Sequence, residues 1–385
     1  MRIIIIGPYP PPYGGISIHC QRLYNYLKNY GYDIKFYDDY LLPKMSFLVL
    51  LINYVRNKKN DTSPNIFKQT EAIDYESLNG FLKLFCRLIL FERKSGTIIH
   101  FHKKNWKYRA LICLASKINR NLNIIFTLHS LREEIEKVPY LTNLYIKYIF
   151  KSNSRYIAVS EEIKRKIIKW GATEKKIAVI PAFLPPFIDQ EDIKKIHGKI
   201  WEFLEKKSPI ISANASKIQF FNNQDLYGLD ISIELCSELV KKIPDLGFIF
   251  CLSDKGDEEY FNKLQQRIDD LKIRENFLFI TNSLPFYPIL MKSDVFIRPT
   301  NTDGDALSIR EALYFKIQVI SSDVVERPEG VILFRNRDLS DLVLKTMDIL
   351  DKQEENKRMY QKENYENNVD KIIKEYDKLV SNNRN

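Results

Sequence analysis

No stretch of this 385-residue chain stays apolar long enough to cross a membrane as a helix. The longest runs, FLVLLINYV at 47–55 and FLKLFCRLILF at 81–91, reach about half of the roughly 20 residues required. The amino terminus does not read as a secretory signal, because its apolar core is four isoleucines that meet prolines and glycines at once. Cysteine is scarce and odd in number: Cys20, Cys86, Cys113, Cys236 and Cys251 lie far apart, mostly inside apolar runs, without metal-binding spacing. They read as buried thiols in a reducing compartment, which places the chain in the cytoplasm. There is no Gly-x-Ser-x-Gly elbow, no His-Glu-x-x-His and no lysine-bearing phosphate loop, so the common hydrolase, metalloprotease and nucleoside-triphosphatase chemistries are excluded. No metal and no cofactor are expected.

Acidic residues are thin in the first half. Residues 1–190 carry 30 Lys and Arg against 15 Asp and Glu, a balance of +15, whereas residues 191–385 carry 29 against 34, a balance of −5, which together give the net +10. A basic half suits a phosphate-bearing macromolecule, the anionic face of a membrane, or a solvated surface. No nucleic-acid module is recognisable and the aromatics do not interleave with a basic stripe, so no nucleic-acid partner is expected.

What is present is alternation. The chain opens MRIIIIGPYPPPYGG, a β-branched strand run straight into a proline-rich loop with two glycines, and ISIHCQRLYNYLKNYG follows with Ile18, Leu23, Tyr26 and Leu27 at helical spacing. Gly14 and Gly15 thus stand just before a helix amino terminus, where backbone N–H groups favour an anion, although two glycines there also make an ordinary tight turn. No third glycine completes a dinucleotide fingerprint. TIIHF, NIIFTL and RYIAVS read as further strands between helical patterns, and PIISAN, LGFIFCL, NFLFIT, DVFIRPT and IQVISS repeat the arrangement in the second half. Such alternation specifies an α/β chain with two doubly wound parallel sheets. The expected division is a first domain over 1–185, a linker over 186–207 after Pro181, Pro185 and Pro186, a second domain over 208–365, and a terminal helix over 366–385 that returns to the first domain.

The segment SDVFIRPTNTDGDALSIREALYFKIQVISSD concentrates the chemistry. A strand ends near Thr300, a polar loop presents Asp303, Gly304 and Asp305, and a helix starts near Ala306 and carries Glu311. A nucleotide sugar calls for such a set: amides for a diphosphate, a carboxylate for a ribose diol, a polar group for sugar hydroxyls. The same acids also serve as plain helix caps and dipole partners.

Asp303-x7-Glu311 resembles the Glu-x7-Glu signature of the family-4 retaining glycosyltransferases, with aspartate at the first place. GPYPPPYGGISIHCQRL resembles that family's amino-terminal glycine loop, IAVSEEIKRKIIKWGATEKKIAVIPAF its run up to the hinge, and DLYGLDISIEL the start of its second domain. The resemblance implies the GT-B fold, two Rossmann-like domains facing across a cleft, and transfer of a sugar from a nucleotide-sugar donor, a UDP-sugar, with retention of configuration. By that resemblance Gly14 and Gly15 admit the donor diphosphate and sugar, Glu311 accepts from the ribose hydroxyls, Asp303 holds donor-sugar hydroxyls, and the amides of Ala306, Leu307 and Ser308 meet the diphosphate. His129, at the end of NIIFTL, contacts the donor sugar or supports developing charge, and His102 is a second candidate. One departure stands out: the family's lysine before the glycine of the second domain's first helix is Tyr227, ahead of Gly228, which leaves the leaving-group charge to Lys217, with Arg298 or Arg310 sharing it.

The acceptor implied is a growing glycan, polyprenyl-diphosphate-linked, in surface-polysaccharide assembly such as O-antigen or capsule. The basic first half and the amphipathic runs at 44–56 and 81–94 suggest docking on an anionic membrane surface, the inner face of the cell membrane. Two other readings stay open: a nucleotide-sugar epimerase of the same architecture, and a non-catalytic subunit of a transferase complex.

Overall fold

The computed structural model describes residues 1–38, 78–131, 134–304, 306–352 and 368–381. The chain falls into two compact units, one of residues 1–10, 16–184 and 367–385, the other of 11–15 and 185–366. The first is built on β1 (Arg2–Gly7), β2 (Asp33–Asp38), β3 (Thr97–Phe101), β4 (Leu122–Leu128), β5 (Arg155–Ala158) and β6 (Ile177–Val179), in the sheet order β2-β1-β3-β4-β5-β6. Every pairing is parallel. Its helices include α1 (Gly15–Asn29), α2 (Leu78–Leu90), α3 (Trp106–Ile118), α4 (Tyr140–Lys151) and α5 (Glu161–Lys169).

The opening isoleucines show why a parallel sheet wants an unbroken apolar strand. Ile3 and Ile5 pack with Leu23 and Leu27 of α1 on one face, while Ile4 and Ile6 pack with Leu84 and Leu88 of α2 and Ile112 of α3 on the other. Both faces are covered by helices, so each isoleucine is fully buried and contributes roughly 2 kcal/mol. Helix starts are fixed by side chains: Asn105 Oδ1 accepts from Lys107 N at 3.0 Å and Ser160 Oγ from Ile163 N at 3.3 Å.

In the second unit β7 (Ile210–Lys217) is followed by a two-stranded hairpin, β8 (Phe220–Phe221) and β9 (Gln224–Asp225), and then by β10 (Gly247–Asp254), β11 (Phe277–Ile280), β12 (Val295–Arg298), β13 (Gln318–Ser322) and β14 (Val331–Phe334). The sheet order is β11-β10-β7-β12-β13-β14, again all parallel. Its helices are α6 (Gln190–Lys194), α7 (Gly198–Lys206), α8 (Leu229–Val240), α9 (Glu258–Asp270), α10 (Tyr287–Leu290), α11 (Leu307–Tyr314) and α12 (Leu339–Asp351). The chain's last described helix, α13 (Asn368–Ser381), belongs to the first unit, where Val369, Ile372, Tyr376 and Leu379 pack in the core beside α1.

Two expectations meet a different structure. The stretch 186–207, read as a linker, carries α6 and α7 and is part of the second unit: Ile196 and Ile200 are buried with Phe286, Ile289 and Phe296, and Asp189 caps α6 through Glu191 N at 2.9 Å. Its prolines and charges hide a short apolar stripe. The run 81–94, read as an amphipathic docking surface, falls largely in α2, whose Leu84 and Leu88 are spent in the first core. The run 44–56 lies outside the described residues, and no described helix is long and apolar enough to cross a membrane.

Each sheet has one place where neighbouring strands send their connections to opposite sides. In the first it falls between β1 and β3, in the second between β7 and β12. Loops diverge there at the carboxyl edge and leave the crevice in which such sheets bind ligands.

Candidate functional site

At the switch point of the second sheet, Arg298 ends β12 and its guanidinium is tied on several sides. Nη1 donates to Asn214 O on β7 at 2.9 Å, Nε donates to Asp303 Oδ2 at 3.1 Å, and the guanidinium lies 5.0 Å from the centre of the Tyr227 ring. Arg327, in the loop after β13, donates from Nη1 to the same Asp303 oxygen at 3.1 Å. Thr300 Oγ1 at 3.4 Å and Gly304 N at 3.0 Å add to the load on that carboxylate. Burial alone would push Asp303 up, but the guanidiniums of Arg298 and Arg327 and the Gly304 N–H outweigh it and hold the carboxyl below its ordinary range.

This geometry gives Asp303 a task beyond the one expected of it. An ionised carboxylate offers about four lone-pair directions, and here they serve two arginines, a hydroxyl and an amide. Asp303 is thus the shared anchor of Arg298 and Arg327. Arg327 escaped the sequence reading, because its only signal was an arginine just past a strand end, and its partner sits 24 residues earlier.

Two helix starts share this edge and differ. Asp225 fills the amino end of α8, its two oxygens accepting from Tyr227 N at 3.0 Å, Gly228 N at 3.2 Å, Leu229 N at 2.9 Å and Asp230 N at 3.3 Å. Burial and then the Asp230 charge push Asp225 up to about 6 against those donors. At the amino end of α11 Ala306 stands at the cap position, and among the described residues that start has no side-chain cap. Leu307, Ser308 and Glu311 are buried on α11, with Glu311 2% exposed. Asp305 lies outside the described residues.

The segment 11–15 groups with this unit. Tyr13 N donates to Ser283 Oγ at 3.1 Å and Ser253 Oγ donates to Tyr13 O at 3.0 Å, which fixes the stretch that holds Gly14 and Gly15. A Cβ added at Gly15 would lie 3.9 Å from Leu307 Cβ, an ordinary contact. Packing therefore does not require glycine at that position. Gly228 is the opposite case: its φ is +67° and a Cβ would strike Pro299 O, so only glycine lets this turn approach the loop after β12. Lys217 sits exposed at the end of β7, and Arg310 lies on α11.

The switch point of the first sheet is chemically unlike this one. Four of the five histidines in the chain gather there: His102 follows β3, His129 follows β4, His100 lies within β3 and His19 within α1. Gly7 admits them, since a Cβ there would come within 2.9 Å of Cys20 Sγ and 3.1 Å of His102 Cβ. His19 Nδ1 donates to Ala182 O at 2.6 Å, His102 Nδ1 and His129 Nε2 share a hydrogen bond of 3.1 Å, and His100 is bonded to Tyr376 OH at 2.6 Å and Thr127 Oγ1 at 2.7 Å. Burial drives His100, His102 and His129 well below the ordinary imidazole range and His19 down to about 4, so all four are neutral near pH 7. His102 and His129 thus lie side by side, with His19 as an unforeseen neighbour.

The family model described as Glycosyltransferase Family 4 matches residues 13–186, and the one described as glycosyl transferases group 1 matches residues 214–366. The chain belongs to the GT-B glycosyltransferases. No curated protein matches it. Among solved structures, a glycosyltransferase from Rickettsia africae is similar with 17% identity and a TM-score of 0.68 over 99% of both chains. Alr3699/HepE from Anabaena, solved with UDP-glucose, is similar with 14% identity and a TM-score of 0.65 over 99% of both. The UDP-GlcNAc 2-epimerase from Neisseria meningitidis, solved with UDP-GlcNAc, is similar with 17% identity and a TM-score of 0.60 over 98% of this chain and 99% of its own. Identities this low speak for the fold. In this glycosyltransferase the two models fall on the two parallel sheets, so the arginine edge lies within the group 1 match and the histidine edge within the Family 4 match.

Proposed function

We propose that this glycosyltransferase moves a hexose from a UDP-sugar to an acceptor hydroxyl, with retention of configuration. The observation that carries the reading is the contrast between two helix starts on one sheet edge. The amides of α8 are taken by Asp225, while the cap residue of α11 is Ala306, which among the described residues leaves that start without a side-chain cap, beside a glycine that packing does not demand. A diphosphate at α11 would meet the amides of Ala306, Leu307 and Ser308 and the positive end of the helix, with Gly14 and Gly15 leaving its approach open and Glu311 accepting from the ribose diol.

As the glycosidic bond breaks, negative charge grows on the departing phosphate. Arg298 is the cation best prepared for it, because Asn214, Asp303 and the Tyr227 ring hold its guanidinium before any ligand arrives. Tyr227 in place of the family lysine therefore keeps a positive charge at this edge by holding an arginine rather than by carrying the charge itself. Lys217, exposed at the end of β7, adds a mobile second cation. No enzyme nucleophile is required in a front-face route, in which the departing phosphate takes the acceptor proton, and a neutral His129 offers a hydrogen bond to a sugar hydroxyl.

The choice of UDP follows two neighbours, Alr3699/HepE and the epimerase, which were solved with UDP-sugars. The acceptor in this reading is a lipid-linked glycan of surface-polysaccharide assembly, reached from the inner membrane face. In support, α4 exposes Tyr140, Leu141 and Leu144 to solvent within the basic half of the chain.

Calorimetric titration with UDP, GDP and ADP tests the donor site. Micromolar binding of UDP that weakens about tenfold or more in Glu311→Ala is the expected result, as for loss of a charged hydrogen-bond partner. Absence of binding to any of the three would overturn the reading, and conversion of a UDP-sugar without any acceptor would favour the epimerase instead.

A further inference from the structure

The glycine loop is fastened at one residue. Between Gly7 and Ile16 the chain reads PYPPPYGG, so four of these eight residues are prolines without an N–H, and only Tyr9, Tyr13, Gly14 and Gly15 can donate from the backbone. Tyr13 gives its amide to Ser283 Oγ in the loop after β11, at 3.1 Å, and its carbonyl accepts from Ser253 Oγ near the end of β10, at 3.0 Å. Its hydroxyl accepts from Lys195 Nζ at 3.1 Å, and Lys195 is also bound to Asp192 Oδ1 at 2.6 Å. That lysine stands just past α6, and the start of α6 is tied to α10 where Tyr287 OH accepts from Asp189 N at 3.0 Å. Tyr13 thus meets three separate elements of the second unit, through its N–H, its C=O and its side chain. Residues 11–15 group with that unit, while 1–10 and 16–184 group with the other.

We propose that Tyr13 is a positioning residue for the donor, held by Ser253, Ser283 and Lys195 so that Gly14 and Gly15 stand beside the start of α11 before a nucleotide sugar binds. The inference rests on the reading of α11 as the diphosphate seat and adds how the glycines are kept there. Glycine loses more conformational freedom on ordering than any other residue, so a diphosphate that had to order the pair itself would give up part of its binding free energy. Fixing the residue just before them removes much of that loss in advance, as a supporting shell does for any site placed on a loop. The fastened loop does reach the helix: a Cβ at Gly15 would lie 3.9 Å from Leu307 Cβ on α11. The serines hold the Tyr13 backbone and Lys195 its hydroxyl, so the set acts on the donor through the two glycines. Its influence therefore falls on the distal phosphate and the sugar, and not on the nucleoside.

Titration of the full-length protein with UDP and with UMP gives the test, because the two share a nucleoside and differ in the distal phosphate. In the double variant Ser253→Ala, Ser283→Ala the affinity for UDP should fall about fivefold or more, while that for UMP stays within about twofold of wild type. Equal losses on the two nucleotides, which a general disturbance of the second unit would give, or no loss on UDP, would overturn the inference alone. A wild-type protein that binds neither nucleotide would overturn the donor reading and the inference with it. Where thermal melting shows the double variant to be unfolded, hydrogen exchange of the ligand-free wild-type protein decides. The prolines leave so few amides in residues 8–15 that the Tyr13 signal is read almost by itself. Protection of that amide before any nucleotide is added supports the held loop, and free exchange there refutes it.

Discussion

The two units set the same kind of sheet to different chemical work. Both carry six parallel strands with a switch point near the middle, and in both the diverging loops bring polar side chains to the carboxyl edge. At the first edge those groups are neutral imidazoles, bonded to a carbonyl, to hydroxyls and to one another. At the second they are ions, one carboxylate shared by two guanidiniums. The fold decides where side chains converge, and only the residue types decide whether they converge as charges. Neutral buried groups are exposed to changes of pH, whereas a paired cluster withstands pH but not the loss of a member.

The largest effect follows from that last point. Asp303→Ala leaves Arg298 and Arg327 buried without their shared counter-ion, and losses of this kind cost about 3–5 kcal/mol. Hydrogen exchange of the β12 and β13 amides should register the loss, while β3 and β4 in the other unit hold their protection. A cost below about 1 kcal/mol would mean that the cluster is solvated and not a designed anchor.

Acidification should reverse the roles. Each histidine of the first edge has a folded-state pKa below its unfolded value of about 6.5, so the unfolded chain takes up the extra proton as the pH falls. That stability is complete above about pH 6.5 and is lost on the way down to about 4 for His19, at up to about 1.4 kcal/mol per pH unit for each histidine. The Asp303 carboxyl is held below 3.8, so its share of stability is lost only under stronger acid. Asp225, pushed up to about 6, binds its proton in the folded state first and so adds stability to the second unit on the same descent. Between pH 7 and pH 5 the β3 amides should lose protection and the β12 amides should not. Equal softening of both would break the comparison.

How much of this was legible depends on how local each feature is. Ile3–Ile6, TIIHF and DVFIRPT announced strands because a fully buried parallel strand must be apolar at consecutive positions. β2, DIKFYD, did not, since it is half exposed and alternates charge with apolar residues, and the short β6, β14 and β8–β9 hairpin offered too few residues for a period. Asp303 and Glu311 were found because one loop and one helix carry both. Arg327 and His19 were not, because each meets its partners through a fold that sequence spacing does not express: Arg327 needs β13 beside β12, and His19 needs the carbonyl of a residue 163 positions away.

The smallest expected effect is also the most discriminating, because it separates packing from ligand approach. Gly228→Ala meets a positive φ and the Pro299 carbonyl, and the left-handed backbone alone costs roughly 1–3 kcal/mol. Gly15→Ala meets only an ordinary contact with Leu307, so its stability should stay within about 0.5 kcal/mol of wild type, as for substitutions that disturb no buried feature. Its nucleotide affinity should nevertheless fall, since the new methyl occupies space beside the start of α11. Denaturation and titration on the two variants make the check. If Gly15→Ala binds UDP like the wild type, the glycine is a turn residue and nothing more, and the diphosphate must be sought from Arg298 and Lys217 alone.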